Sequence, residues 1–249
     1  MRHILVCLLL LISCIAAAEE ASLESLAREL PKLRNYRIVL RGKQFGEADG
    51  KPFGHLSMER VVEDYRGQAT LRILLLRNLT MSDGRKGTVR ELTRYSLSGQ
   101  GELVEYELHT LSSHGQKRDV VVGVVGQEWV VTDTVNHISY NTRQPKGRSC
   151  LRDHLNFRDF IRGGEVGSKF TSYGFLPDDD HHIKEPAWVT SVLRRTTLRD
   201  KPVVYINNGE PGNEDIYDAR GFLLEGHDGN VVEEFEDSRH PDGVPHPRE

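Results

Sequence analysis

Cysteine is scarce in this chain of 249 residues: three occur, Cys7, Cys14 and Cys150. The first two fall in an apolar N-terminal run, so the body of the chain keeps Cys150 alone. That excludes an internal disulfide framework and any CxxC redox or metal motif. Without disulfides, an exported chain must hold itself together by core burial. Positive charge is not in excess either, with 33 Lys and Arg against 37 Asp and Glu and a formal net charge of -4. The electrostatic footprint of a nucleic-acid binder is therefore missing, and so is an acidic block. No glycine-rich phosphate loop and no HExxH occur, so no cofactor is expected. Apolar runs of ~20 residues, the length of a membrane-spanning helix, are also lacking.

The longest apolar run is Ile4 to Ile15. It follows Met1-Arg2-His3 and precedes Ala16-Ala17-Ala18. A short basic start, an apolar middle and an Ala-x-Ala end make residues 1–18 read as a signal peptide. The expected location is periplasmic or extracellular. Leu11-Ile12-Ser13-Cys14 also resembles a lipobox, which would place a lipid anchor on Cys14.

After the signal, residues 19–35 read as a helical leader, with Leu23, Leu26, Ala27 and Leu30 at helical spacing. From Tyr36 the period becomes two. Strands are expected at 36–41, 54–65, 69–80, 89–98, 103–111, 119–125 and 128–135, joined by turns rich in Gly, Asp and Asn. Residues 151–161 break the pattern as a short helix. Strands resume at 169–175, 188–197, 202–207, 216–217, 222–224 and 231–235. The fold class is thus mainly β: a large curled antiparallel sheet or half-barrel over residues 36–236, with one short inserted helix and an N-terminal helix. Residues 237–249, rich in Pro, His and charge, read as a disordered tail. Such a sheet must curl or cover its edges, and a curled sheet can enclose an apolar hollow. The run Ile73-Leu74-Leu75-Leu76 reads as covered on both faces, with the inserted helix contributing Leu155, Phe157 or Phe160 to that cover.

Several segments resemble a known group. Gly54-His55-Leu56 opens a long strand, Arg162-Gly163-Gly164-Glu165-Val166-Gly167 steps from a helix into a strand, and Asp218-Ala219-Arg220-Gly221-Phe222-Leu223 closes a hairpin. In these features residues 36–230 resemble the β region found ahead of the catalytic domain in bacterial exported transglutaminase-like proteins. More distantly they resemble the half-barrels of lipoprotein carriers. The resemblance implies a domain that is not itself catalytic, and with the apolar hollow of a curled sheet the expected role is an envelope domain that binds an envelope protein or an apolar small molecule. This sequence departs from the group in that no enzyme domain follows Phe235.

Two constellations could carry chemistry. Cys150 at a helix start, with His154, His181 or His182 as base and an Asp as orienter, would suit a cysteine-dependent acyl-transfer or hydrolytic enzyme. Against this, His154 lies four residues along the same helix, and a lone Cys is commonly a small buried apolar group. Asp178, Asp180 and His182 are of metal-ligating type, but neighbours in sequence seldom converge on one ion, and a solvated loop is the simpler expectation. Trp129 and Trp188 read as core or interface residues. Asn78-Leu79-Thr80 matches a glycosylation sequon at a strand end.

Overall fold

The structure, a computed structural model, describes residues 22–40, 52–81, 83–198, 200–208, 214–228 and 231–236. The signal segment with Cys14 and the tail 237–249 lie outside the described residues. A short helix α1 (Leu23–Arg28) opens the described chain. Ser22 caps it by accepting from the Ser25 backbone N–H at 3.1 Å. The helix is shorter than the spacing of leucines predicts, because Pro31 removes a backbone donor and β1 (Leu33–Leu40) begins at once.

Seven antiparallel hairpin partners follow β1: β2 (Pro52–Tyr65), β3 (Gln68–Thr80), β4 (Lys86–Ser96), β5 (Leu103–Leu111), β6 (Lys117–Val125), β7 (Glu128–Val135) and β8 (Ile138–Pro145). Helix α2 (Leu151–Gly163) interrupts the meander. The second half comprises β9 (Lys169–Tyr173), a small hairpin of β10 (Leu176–Pro177) and β11 (Ile183–Lys184), then β12 (Ala187–Leu198), β13 (Lys201–Asn207), β14 (Glu214–Asp218), β15 (Leu223–Asp228) and β16 (Val231–Phe235).

Fourteen strands form one sheet in the order β8-β7-β6-β5-β4-β3-β2-β1-β16-β15-β14-β13-β12-β9. The first and last strands pair at its middle, Tyr36 opposite Phe235. Its two edges, β8 and β9, therefore come from the middle of the chain, on either side of α2. The sheet is mainly antiparallel β and does not close on itself.

Strand β8 was not legible in the sequence. Its eight residues are all exposed or partly exposed, so no apolar alternation marks it. The β10–β11 hairpin lies against its side chains. The Thr142 hydroxyl donates to the His181 carbonyl, and the Gln144 amide both donates to and accepts from the Ile183 backbone at 2.8 Å. That guards the edge without adding a strand to it.

The core lies in the curl. Helix α2 runs through it with two apolar faces. Leu151 and Leu155 share a core with Leu71, Tyr95, Tyr106, Val120, Val122, Trp129 and Val131 of the first half. Ile161, Phe157 and Phe160 pack with Val192, Val204 and Ile206 of the second. Gly101, at φ +77°, holds the turn where both helices meet the sheet; a Cβ there would run into Leu151 and Leu23.

The expectation that both faces of the leucine run are covered needs correction. Leu71 is fully buried and faces the interior, with Ile73 and Leu75 on the same side. Leu76 on the other side is 38% exposed. No helix covers that outer face. Instead, ion pairs lie across it: Arg72 with Glu59 and Glu63, Arg94 with Glu63 and Glu105, and Arg90 with Glu107. The long arginine stems shield Leu74 and Leu92 between them, as amphipathic side chains can. Of the three helix residues expected to cover the run, Phe157 and Phe160 turn toward the second half of the sheet, and Leu155 alone reaches the core around Leu71.

Candidate functional site

The curl does not fill completely. A cavity of about 540 Å³ remains between its two halves. One wall is the concave face of β2–β5. Cross-strand register lays it out in rows: Arg60 opposes Ile73, Ile73 opposes Thr93, and Thr93 opposes Tyr106. In the next row Met58 opposes Leu75, and Leu75 opposes Glu91. The facing wall is Tyr173, Phe175 and Trp188, and α2 contributes Cys150, His154, Phe157 and Arg158. Trp188 is 44% exposed although it lines the cavity, which puts it at the mouth. Its indole lies directly over Gly174, where any Cβ would collide with the ring. Phe175 closes the inner end, 4.5 Å from the Tyr106 ring and 5.1 Å from that of Trp129.

The polar groups in this wall carry the marks of burial. Desolvation pushes the Tyr95 hydroxyl up to about 12. It raises Tyr106 and Glu91 as well; the hydrogen bond from Tyr106 and the charge of Arg77 pull Glu91 back only in part. His154 has surface open to the cavity but lies deep in the protein mass. Burial lowers its pKa, Arg60 adds to that, and Asp153 opposes it. Its Nε2 meets the Tyr95 hydroxyl at 3.0 Å.

The residues of the cysteine-enzyme reading are not assembled. Cys150 is partly buried, and desolvation raises its thiol pKa, which disfavours the nucleophilic thiolate. His154 is bonded to Tyr95 rather than to Cys150. His181 is held elsewhere, with Nδ1 at 2.8 Å from Asp133 and its ring stacked on Tyr140 at 3.7 Å.

Residues of the metal reading are engaged in the β10–β11 turn. Asp178 accepts from the His182 backbone N–H at 2.8 Å and pairs with Lys184 at 3.0 Å. Among the described residues, no three His, Cys, Asp or Glu side chains converge as a metal site would require. Sequence reasoning also missed Glu185. Its carboxylate accepts from the backbone N–H groups of Arg148 and Ser149 at 2.7 and 2.6 Å, just before α2. Gly147 makes room for that carboxylate, since a Cβ would overlap it. A lone Glu after a loop gives no pattern from which such a cap could be read.

The two halves of the sheet, α2 inside them and the unfilled hollow define what the chain can be compared with. No family model matches it, and no curated protein does. It is similar to a solved structure, the beta-barrel-like protein of domain of unknown function DUF1849 from Brucella abortus. The identity is 10% and the TM-score 0.51, over 82% of this chain and 94% of that one. The likeness is one of fold. A DUF1089 family protein from Pseudomonas aeruginosa aligns at 11% identity and a TM-score of 0.36, over 70% of this chain and 90% of that one. Among the described residues, no helix is long and apolar enough to cross a membrane.

Proposed function

We propose that the protein is an exported, non-catalytic β domain that binds an apolar small molecule in the hollow of its curled sheet. The observation that carries this reading is the cavity of about 540 Å³, within the usual range for small-molecule sites. Its walls are Ile73, Leu75, Met58, Phe157, Phe175 and Trp188, with a few polar groups among them. That is the composition expected of a ligand pocket rather than of a water-filled flaw. Export by residues 1–18 and kinship with the β region of transglutaminase-like proteins belong to the same proposal. The cysteine-dependent enzyme reading is weaker, because burial raises the thiol pKa of Cys150 and His154 bonds Tyr95 instead of the thiol.

The neutral dye N-phenyl-1-naphthylamine tests the reading. Its emission should rise on titration with the full chain and saturate at one equivalent. Thr93, at the centre of the wall between Ile73 and Tyr106, is the residue to enlarge. Thr93→Phe should weaken dye binding by about tenfold or more, since a ring there takes the space of the ligand. A dye that stays dark, or binds Thr93→Phe unchanged while the β spectrum is intact, would place binding outside the hollow.

A further inference from the structure

Two arginines and two acids line the hollow, and one of the arginines, Arg60, is paired with neither acid. Arg60 projects from β2 into the cavity. Its Nη1 donates to the Pro31 carbonyl at 3.4 Å and its Nη2 lies 2.7 Å from the Met58 sulfur. Neither partner is an anion. Among the described residues Arg60 makes no ion pair, whereas the other arginine at the cavity wall, Arg158, reaches Glu29 at 3.6 Å. On the outer face Arg72, Arg90 and Arg94 are each matched with a glutamate. Burial disfavours the charged guanidinium, Tyr36 offsets part of that, and Arg34 is close enough to add like charge.

The acids at the wall do not remedy this. Asp153 is on α2 beside His154. Glu91 stands two strands away from Arg60 and two residues along, with their backbones about 12 Å apart by the spacing of strands, and the two side chains form no ion pair. The two charge types also differ in kind. A buried carboxyl such as Glu91 can take up a proton and become neutral. A guanidinium cannot shed its proton in a protein, so its charge must be met from outside. Next to Arg60 the wall turns apolar at once, through Ile73 and Leu75, toward Phe157 and the mouth at Trp188.

We infer that the ligand is an amphiphile whose anionic head, a carboxylate or a phosphate, seats on Arg60 while its apolar chain runs along Ile73 and Leu75 toward Trp188. The inference rests on the cavity reading above and specifies its ligand class. A planar guanidinium offers a bidentate fit to either head.

The test is displacement of N-phenyl-1-naphthylamine from the full chain by dodecanoate, dodecyl phosphate, dodecanol and dodecylamine. Both anions should displace the dye at roughly tenfold lower concentration than dodecanol, the worth of one charge-assisted contact, and dodecylamine should be the poorest. Whichever anion acts at the lower concentration names the head. In Arg60→Gln the anions should fall to within about threefold of dodecanol, while dodecanol itself is unchanged; Arg60→Lys should keep part of the preference. If the dye does not bind, the cavity reading itself falls. If the dye binds but anions and alcohol compete alike, or the preference survives in Arg60→Gln, the head-group inference is overturned and the cavity reading stands. Should Arg60→Gln lose its β spectrum, the head-group series on the unmodified chain decides alone.

Discussion

Leu71→Ala should lower the free energy of unfolding by about 3–5 kcal/mol, the upper part of the range for emptying a core leucine site. Leu71 has no accessible surface and lies among Tyr95, Leu155 and Val62, in a core shared by the sheet and both helices. Leu75, four residues along on the same face, borders the cavity, so part of its surroundings is already empty. Leu75→Ala should cost only about 1–2 kcal/mol, because the lost transfer energy comes with little new void. Leu76 points outward, and Leu76→Ala should cost less than about 0.5 kcal/mol. Urea unfolding of the three variants checks the order. Equal losses at 71 and 76 would mean that the outer face is covered after all.

Asp133→Ala should cost about 2–3 kcal/mol. The carboxylate is 1% exposed and receives Arg118 at 2.7 Å and His181 at 2.8 Å. Both partners keep roughly a fifth to a quarter of their surface exposed, 24% and 22%, so they can be rehydrated when the acid is removed. The cost therefore stays below the about 3–5 kcal/mol of a fully buried broken pair. These bonds tie the β10–β11 hairpin to β6 and β7. The effect should depend on pH. Burial tends to raise the pKa of Asp133, but the bonds from Arg118 and His181 outweigh it and hold the carboxyl below its ordinary value. The folded pKa is thus lower than the unfolded one. The extra stability is present above about pH 4 and is lost as pH falls through the folded value. The stability gap between the unmodified chain and Asp133→Ala should be full at neutral pH and shrink as pH falls through the lowered folded pKa. A gap that is constant with pH would show that the carboxylate charge contributes nothing.

The sheet was largely legible because most of its strands bury one face. Period-two patterns such as Leu103 to Leu111 and Glu128 to Val135 begin and end where the strands do. The inserted helix was legible from Leu151 and Leu155 against Gly163-Gly164. What escaped was decided by tertiary contact. Strand β8 is an edge with no buried face, so its sequence, Ile-Ser-Tyr-Asn-Thr-Arg-Gln-Pro, carries no strand signal. The leucine run looks doubly buried because sequence does not distinguish a helix overhead from arginine stems lying across a face.

The candidate site was less legible still. Cys150, His154 and His181 drew notice for their chemistry, yet the structure sends the two histidines to Tyr95 and Asp133. Arg60 drew none. Arg60 is in phase with Leu56, Met58 and Val62 on the inner face of β2, yet an arginine in an alternating strand reads as a solvated residue. Its significance lies in the lack of an acidic neighbour, which depends on residues distant in sequence.

The chain has two tryptophans, and they stand on opposite sides of the central claim. Trp188 lines the mouth of the cavity and is 44% exposed, while Trp129 is sealed at 2% behind Phe175. Fluorine NMR of the protein labelled with 5-fluorotryptophan, titrated with dodecanoate, therefore reads the hollow directly. The account predicts that the Trp188 resonance shifts and saturates while the Trp129 resonance stays in place. A Trp188 resonance that does not move at saturating dodecanoate would contradict it.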